Sequence, residues 1–448
     1  MSLCDRSRRA RLALLAALLL LALLPGQAQG QSVRELEYAY LKTSAAYFVA
    51  GERVRAEVAV PDAGGLRFEF ILFYTPDREQ MGHFVGVGRQ EASPSNAYSF
   101  TPEDRGQYFL QAHVFDGEHR TLKLESEPFY CYGREDEDNP GTLPGRVRQI
   151  ARAMQAENLR TDYEKALWMH DALTQGAEYD ESYSEHSPEG VLLRGTGVCE
   201  SYALAYQILL REIGLESLYV TGSSRGVSHA WNLVRMDGEW AWVDVTWDDP
   251  VGGEEGYDYF GLTTGLLSRD HDWSYGNLVP PPADTLRFNY LLNNGARPFS
   301  DEAGLGAQLE DALRQKESEI LYAYHGPDRF FDAMGAAAQW MKENGSRHFV
   351  SAYQLSGFDY SGELTITYAP SEGYLPFADE AGFARAVDGL LSSKSPQVKV
   401  QYTGTEPGFD MGRFLGDWLS ERAGDYAIVS YRYSYTPYAA EITLEYGP

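Results

Sequence analysis

The feature that most constrains the fold is a glycine-rich turn followed at once by an amphipathic helix, GTGVCESYALAYQILLREIGL at residues 195–215. Its apolar residues recur at spacings of three and four, which predicts a helix with one buried face, and Gly214 supplies the C-terminal stop. Cys199 falls in the first turn of this helix. Unpaired backbone N–H groups and the positive end of the helix dipole favour an anionic sulfur there. Cys199 is therefore a candidate nucleophile, although a lone cysteine at such a place is more often a buried core residue.

A predicted β-hairpin follows at residues 228–250, SHAWNLVRMDGEWAWVDVTWDDP, with its turn at Asp237–Gly238. A two-residue loop at this dipeptide makes His229 and Asp244 diagonal neighbours on one face of the hairpin. A carboxylate that binds one imidazole nitrogen fixes the tautomer and leaves the second nitrogen to act on a thiol. The sequence thus predicts a triad of Cys199, His229 and Asp244. The alternative for the histidine and the aspartate is a satisfied polar pair on a sheet surface.

The order Cys, His, Asp and the blocks GVCESYA, SHAWNLV and WVDVTWDDP resemble the transglutaminase-like superfamily of cysteine enzymes. The resemblance extends upstream to residues 161–180 and downstream to YFGLTTGLLSRDHDW, residues 259–273. It implies a papain-like core, in which the cysteine helix packs against a small antiparallel sheet that carries the histidine and the aspartate. The implied roles are Cys199 as nucleophile, His229 as general base and later acid, and Asp244 as orienting carboxylate.

Two further features of the site leave alternatives open. The backbone N–H of Cys199 is one implied donor to the oxyanion, and a second donor is needed. The candidates for that second donor are Trp168, Tyr179 and Tyr183. The hairpin face that carries His229 also carries an aromatic wall, which would serve as a shield for the acyl site or as a substrate groove. This wall consists of Trp231, Trp240 and Trp242.

The N-terminal residues 1–30 are predicted to be a signal peptide, with a basic start, an apolar run of 13 residues and small residues before the cleavage point. The run is shorter than the roughly 20 residues of a typical membrane span, and no later segment is long enough either. We therefore expect a secreted or cell-envelope protein with no membrane span in the mature chain. After cleavage Cys131 and Cys199 remain, and both are expected to be free thiols.

The predicted fold class is α+β, in several domains. Residues 31–133 alternate polar and apolar in short strands, which predicts a β-sandwich, and TPEDRGQY resembles the tyrosine corner of immunoglobulin-like domains. Residues 134–145 are acidic and contain proline and glycine, as is typical of a linker. Residues 146–285 form the predicted transglutaminase-like catalytic domain.

The C-terminal third contains an internal duplication. Residues 295–370 align without a gap to residues 373–448 at an offset of 78. Each copy predicts a small α+β module, and we expect two tandem modules rather than a solenoid. In the first copy the predicted elements are a helix at 301–316, a strand at 319–324, a helix at 328–344 and strands at 347–355 and 362–368.

The composition excludes some classes of partner. The net charge of −27 makes nucleic acid an improbable ligand, because phosphate contacts need basic residues. No cofactor motif is present, and outside the triad no cluster has metal-ligand spacing. The expected partner is a protein or peptide substrate, with cell-envelope peptide as one source.

The sequence therefore predicts a secreted cysteine enzyme that transfers acyl groups of peptide or isopeptide bonds through a thioester on Cys199. Hydrolysis by a peptidase is the favoured reaction. The alternatives are a protein-glutamine amine transferase that cross-links proteins, and a catalytically silent binding or envelope-scaffold protein.

Overall fold

The computed structural model describes residues 33, 35–45, 47–76, 83–117, 121–253, 255–273, 277–358, 360–368, 372–404, 409–435 and 439–448. The predicted signal peptide lies outside the described residues. The chain divides into two units, Met1–Trp240 with Asp272–Ala283 and Ala241–His271 with Asp284–Pro448. Helices and sheets are mixed along the chain, which confirms the α+β class. Among the described residues, no helix has the length and apolar character needed to cross a membrane.

The N-terminal part of the first unit is built of short strands. Their bounds are β1 (Tyr40–Thr43), β2 (Phe48–Val49), β3 (Val54–Ala59), β4 (Arg67–Thr75), β5 (Val85–Ser93), β6 (Ala97–Phe100), β7 (Gly106–Phe115), β8 (Thr121–Glu125) and β9 (Phe129–Tyr132). One sheet has the order β1-β3-β6, and the other has the order β2-β9-β7-β4-β5 with β8 paired to β7. Alternate residues of these strands point into one core, where Phe68, Leu110 and Val114 are fully buried.

Tyr108 and Cys131, which the sequence marks as a corner tyrosine and a thiol, both lie in this part. The hydroxyl of Tyr108 donates to the carbonyl oxygen of Asp104 at 3.0 Å, which is the type of contact a tyrosine corner makes. Cys131, on β9, is fully buried and is not part of a disulfide. The immunoglobulin-like type of the sandwich stays a prediction.

Helices and a small sheet follow in the first unit. Their bounds are α1 (Leu143–Ala156), α2 (Asp162–Thr174), β10 (Glu178–Tyr179), β11 (Thr196–Gly197), α3 (Cys199–Glu212), β12 (Ser217–Ser224), β13 (Val227–Met236) and β14 (Glu239–Val243), the last of which continues into the second unit. The side chain of Thr142 accepts a hydrogen bond from the N–H of Gly145 and caps α1. Helix α1 therefore begins inside the segment 134–145 that the sequence suggests is a linker.

The next elements are β15 (Phe260–Leu262), α4 (Thr264–Leu267), β16 (His271–Asp272) and α5 (Tyr290–Asn293). Strand β15 pairs antiparallel with β14. The side chain of Thr263 caps α4, and that of Asn289 caps α5. These short elements leave the segment between β14 and α5 mostly irregular.

Two C-terminal sheets complete the second unit. The first set of elements is β17 (Arg297–Phe299), α6 (Glu302–Gln315), β18 (Glu319–Tyr324), α7 (Ala333–Asn344), β19 (Val350–Phe358) and β20 (Ser361–Tyr368). The second set is β21 (Leu375–Phe377), α8 (Glu380–Ser392), β22 (Gln397–Tyr402), α9 (Met411–Arg422), β23 (Ile428–Tyr435) and β24 (Ala439–Tyr446). The sheet orders are β17-β18-β20-β19 and β21-β22-β24-β23.

Paired strand positions in the two sheets differ by the offset of 78 residues seen in the sequence, and the duplication into tandem modules stays a prediction. Glu319 lies opposite Thr365 in the first sheet, and Gln397 lies opposite Thr443 in the second. The structure differs from the predicted elements in three places. The strand predicted at 347–355 is Val350–Phe358, because Gly345–His348 forms a short 3-10 helix before it. Helix α7 begins at Ala333 rather than at residue 328, because the carboxylate of Asp332 accepts from the N–H of Gly335 and caps the helix there. The short parallel strands β17 and β21 were not predicted.

Asp258, in the second unit, leads to a prediction about pH. Burial and, secondarily, the charge of Asp248 raise the pKa of Asp258 to about 7. Its Oδ1 atom has no hydrogen-bond partner among the described residues. The pKa of Asp258 is higher in the folded state than in the unfolded state, so the folded state holds the proton more tightly. The free energy of unfolding of the wild type therefore falls as the pH rises from the pKa of the unfolded state through 7. Asp258→Asn removes this loss, so its stability advantage over the wild type should grow by about 2 kcal/mol between pH 5.5 and pH 8.

Urea unfolding of both proteins at the two pH values measures this difference. Asp284→Asn is the matched control, because Asp284 is an exposed aspartate of the same unit. An unchanged pH dependence in Asp258→Asn would show that this carboxyl ionises normally in the folded protein.

Candidate active site

Cys199 is the first residue of α3, as the sequence predicts. The preceding Val198 is extended, with φ −87° and ψ 179°. Gly195 has a φ of +72°, a conformation that favours glycine. Gly197 has no room for a side chain, because an added Cβ would lie 2.5 Å from the Cβ of Ser201. The glycines of the turn are thus required by the path that brings the chain into α3 at Cys199.

Hydrogen bonds hold the preceding loop to the start of α3. The N–H of Val198 and the hydroxyl of Ser201 both donate to the carbonyl oxygen of Glu185, at 2.9 and 2.8 Å. The carboxylate of Glu185 accepts from the hydroxyl of Ser187 and forms an ion pair with Arg194. The loop residue Glu185 therefore holds both the residue before α3 and the first turn of the helix in place.

The surroundings of Cys199 differ from those of the other described cysteine. Cys199 is a free thiol and partly exposed, whereas Cys131 is enclosed. Burial raises the pKa of Tyr219 on β12, and the nearby charge of Glu200 raises it further. A carboxylate oxygen of Glu200 lies 3.2 Å from Nδ1 of the exposed His186. Cys199 is thus accessible and has polar groups around it, as a nucleophile requires.

His229 lies on β13, opposite Gly222 of β12. Its ring stacks on the buried indole of Trp231, with centroids 5.7 Å apart and planes at 25°. A Cβ added to Gly222 would lie 2.8 Å from the Trp231 ring and 2.2 Å from the carbonyl oxygen of Asp272. Glycine at this position therefore allows Trp231 to lie under the imidazole.

Helix α3 packs against β13, so the elements that carry Cys199 and His229 contact each other directly. The side-chain amide of Asn232, on β13, donates to the carbonyl oxygen of Ala203 on α3 at 3.0 Å. Ala203 also belongs to a buried cluster with Ala230 of β13. This packing of a cysteine helix on a histidine strand is the arrangement that the resemblance implies.

The turn of the predicted hairpin is confirmed. Strand β13 ends at Met236 and β14 begins at Glu239. Between them, Asp237 and Gly238 have φ values of 47° and 92°. Positive φ at both loop positions defines a type I′ turn, which suits a two-residue hairpin.

The predicted aromatic wall is wrong for two of its three tryptophans. Trp231 and Trp242 are fully buried, so neither lines an open groove, while Trp240 is partly exposed. The ring of Trp273 packs edge-on against Trp231, and the indole N–H of Trp242 donates to the hydroxyl of Thr264 at 3.3 Å. Alternation along a strand shows which residues share a face, and here that face is covered.

Asp244 directly follows β14 and is fully buried. Its Oδ1 atom accepts from the N–H groups of Thr246 and Trp247, at 3.1 and 3.2 Å. Its own N–H donates to the carbonyl oxygen of Tyr259 at 3.1 Å. The carboxylate is therefore fixed in orientation by backbone groups on one side.

Sequence reasoning assigned no role to His271, the other partner of Asp244. Nε2 of His271 lies 3.0 Å from Oδ2 of Asp244, and Nδ1 lies 2.6 Å from Oδ1 of Asp270. Burial lowers the pKa of His271, but the hydrogen bonds to Asp244 and Asp270 outweigh it, and the pKa is raised. Histidine and aspartate also occur as metal ligands. Here Nε2 of His271 and Oδ2 of Asp244 lie at hydrogen-bond distance from each other. The Asp-His sequence within the block 259–273 was the available signal.

The three candidates for the second oxyanion donor occupy different positions. Trp168 lies on α2 and is partly buried. Tyr183 is 69% exposed and has a φ of 56°. Tyr179 lies on β10, where its backbone pairs with Gly197, two residues before Cys199. Of the three, Tyr179 is the one paired to the strand that leads into the cysteine helix.

A comparison with known protein families finds a match in the part of the chain that carries the candidate site. Residues 148–245 match the family model described as the transglutaminase-like superfamily. The matched segment contains Cys199, His229 and Asp244. The resemblance seen in the three sequence blocks is thereby confirmed, and this segment of the chain is transglutaminase-like.

Solved structures give weaker similarities. A TGase crystal structure is 18% identical over 25% of this chain and 32% of its own, with a TM-score of 0.22, so the match spans about a third of that protein. A candidate cysteine protease from Cytophaga hutchinsonii is 14% identical over 40% of this chain and 76% of its own, with a TM-score of 0.20. A superoxide reductase from Ignicoccus hospitalis is 15% identical over 24% of this chain and 92% of its own, with a TM-score of 0.17. No curated protein matches the chain.

Proposed function

We propose that the protein is a cysteine enzyme that cleaves peptide or isopeptide bonds, and that Cys199, His229 and Asp244 act together as its triad. The observation that carries the proposal is the position of Cys199 in the first turn of α3, packed on the strand of His229. The fully buried and orientated carboxylate of Asp244 supports it. All three residues lie in the transglutaminase-like segment.

The proposed reaction proceeds through a thioester. His229 takes the proton of the Cys199 thiol, and the sulfur attacks the carbonyl carbon of the substrate. The Cys199 N–H, at the start of α3, donates to the oxyanion. When the C–N bond breaks, His229 gives its proton to the leaving amine. Water then attacks the thioester and passes a proton to His229, which returns it to the sulfur as the acid departs. Asp244 stabilises the charged imidazole in both halves.

Hydrolysis is proposed over amine transfer. A transferase must admit an amine to the thioester before water reaches it, which requires a shielded second channel. The aromatic wall, expected to serve as a shield or as a substrate groove, is largely buried, because Trp231 and Trp242 are both enclosed. Water, in large excess over any amine, is therefore the acyl acceptor in this proposal.

The proposed substrates are proteins or peptides outside the cytoplasm, including cell-envelope peptides. The signal-peptide pattern of residues 1–30 supports export. The strongly negative net charge supports a partner other than nucleic acid.

A competition assay tests the choice of acceptor. The mature protein receives a glutamine-containing peptide library together with a labelled primary amine. We expect peptide hydrolysis and little incorporation of label, because water is the proposed acceptor. Mass spectrometry of the peptides measures both products at once.

Prior alkylation of the protein with iodoacetamide is the control, and it should remove hydrolysis. Efficient incorporation of the amine without hydrolysis would make the protein a transferase and leave the triad in place. A library with no product that depends on Cys199 would identify the catalytically silent alternative.

A further inference from the structure

A chain of buried hydrogen bonds extends from Asp244 away from the backbone groups that hold its Oδ1 atom. Oδ2 of Asp244 is bonded to Nε2 of His271, and Nδ1 of His271 is bonded to Asp270. The hydroxyl of Tyr259 donates to the other carboxylate oxygen of Asp270 at 2.6 Å. Three successive hydrogen bonds therefore connect the side chains of four residues, in the order Tyr259, Asp270, His271 and Asp244.

Because these hydrogen-bonded side chains are buried, the loss of any one of the hydrogen bonds has a large energetic cost. The side chains of His271 and Asp244 are both 0% exposed, and that of Asp270 is 6% exposed. Buried charged groups are costly unless they are paired, and removing one partner leaves the other uncompensated. An imidazolium between two carboxylates satisfies both of them and donates from both nitrogens. This agrees with the raised pKa of His271.

The arrangement fixes the carboxylate of Asp244 at both oxygens. Oδ1 accepts from the N–H groups of Thr246 and Trp247, and Oδ2 bonds to His271. An ionised carboxylate offers about four acceptor positions. These three bonds are therefore compatible with a further imidazole donor, as the proposed triad requires.

We propose that His271 is a positioning residue, which holds the carboxylate of Asp244 in the orientation that serves the catalytic histidine, while Asp270 and Tyr259 hold the His271 ring. The proposal rests on the proposed function, because that function gives Asp244 its role. His271 does not touch the substrate in this scheme. It acts by keeping Asp244 from rotating and by balancing its buried charge.

Two variants of His271 distinguish positioning from folding. His271→Leu removes the donor to Asp244 and should lower kcat about 100-fold with little change in KM, since misplacement of a catalytic group costs roughly that factor. His271→Gln places an amide N–H where Nε2 lies, so it should recover kcat to within about tenfold of the wild type. Steady-state peptide hydrolysis gives both constants, and circular dichroism gives the folded fraction.

His348→Gln is the matched control. His348 is also a buried histidine, and its Nε2 lies 3.0 Å from a carboxylate oxygen of Glu310. Unlike His271, His348 belongs to the first set of C-terminal elements and not to the candidate site. The same chemical change there should affect stability and leave kcat unchanged. Equal kcat losses in the His348 and His271 variants would assign both effects to folding and overturn the proposal.

A double-mutant cycle tests whether His271 acts through Asp244. If it does, adding His271→Leu to Asp244→Asn should lower kcat by no more than about threefold further, against about 100-fold in the wild-type background, because effects of residues that act as a unit are not additive. Multiplicative losses, a change confined to KM, or a wild-type kcat in His271→Leu would each overturn the proposal. Absence of turnover dependent on Cys199 in the wild type would instead overturn the proposed function, and the role of His271 with it.

Discussion

Replacing Cys199 with alanine is expected to reduce peptide hydrolysis by at least about 1,000-fold, because the proposed mechanism forms its thioester on this residue. The thiol is partly exposed at the first turn of α3, so its removal leaves no large cavity. The cost to stability should stay below about 1 kcal/mol. Initial rates at saturating peptide, measured beside the urea midpoint, separate loss of chemistry from loss of fold.

Cys131→Ala is the control for this experiment. Cys131 is the other described cysteine, a fully buried thiol in the core of the N-terminal strands. Its truncation should lower stability by about 1 kcal/mol and leave kcat unchanged. Turnover at the wild-type rate in Cys199→Ala would remove Cys199 from the proposed mechanism.

Asp244→Asn is expected to lower kcat by about 1,000- to 10,000-fold while the fold persists. The amide oxygen can still accept from the N–H groups of Thr246 and Trp247, which bind Oδ1 in the wild type. The amide nitrogen would then face His271, which as a neutral imidazole can accept at Nε2 while Nδ1–H stays bonded to Asp270. In the proposed triad, however, the imidazole of His229 loses the carboxylate that would fix its tautomer and stabilise its charge. Steady-state kinetics near neutral pH measures this loss.

Asp258→Asn provides the matched comparison for Asp244→Asn. It makes the same chemical change at another poorly solvated carboxyl in the second unit, one that has no part in the proposed mechanism. Its kcat should equal that of the wild type. Wild-type kcat in Asp244→Asn would remove Asp244 from the triad, and equal losses in both variants would indicate a general effect on the fold.

The local elements of the site could be predicted because short-range rules specify them. The glycine turn before Cys199 and the Asp237–Gly238 loop have conformations that few other residues adopt, and both are found. The spacing of apolar residues likewise gives α3 with its correct start. These signals depend on neighbours in sequence, so they can be read without knowledge of the tertiary fold.

The parts that sequence did not predict depend on tertiary packing. His271 lies on a strand of two residues in a mostly irregular segment, where no periodicity indicates which side chains are buried. Its contact with Asp244 joins residues 27 positions apart. Trp231 and Trp242 were expected at an open face, and only the packing of neighbouring elements shows that this face is covered. The late start of α7 follows from the choice of Asp332 as its cap.

The matching registers of the two C-terminal sheets bear on how the chain folds. In each sheet the pairing strands come from within about 50 residues of sequence, as in Glu319 with Thr365 and Gln397 with Thr443. Each sheet can therefore form from its own segment, but strands with the same register in neighbouring segments can also exchange partners during folding. The core residues oppose such an exchange, because Leu305 and Leu309 of the first segment correspond to Phe383 and Val387 of the second. These side chains lie on helices α6 and α8, so their different volumes would leave gaps and overlaps where a helix packs on a mixed sheet. Steric fit therefore favours the correct partner where strand register does not.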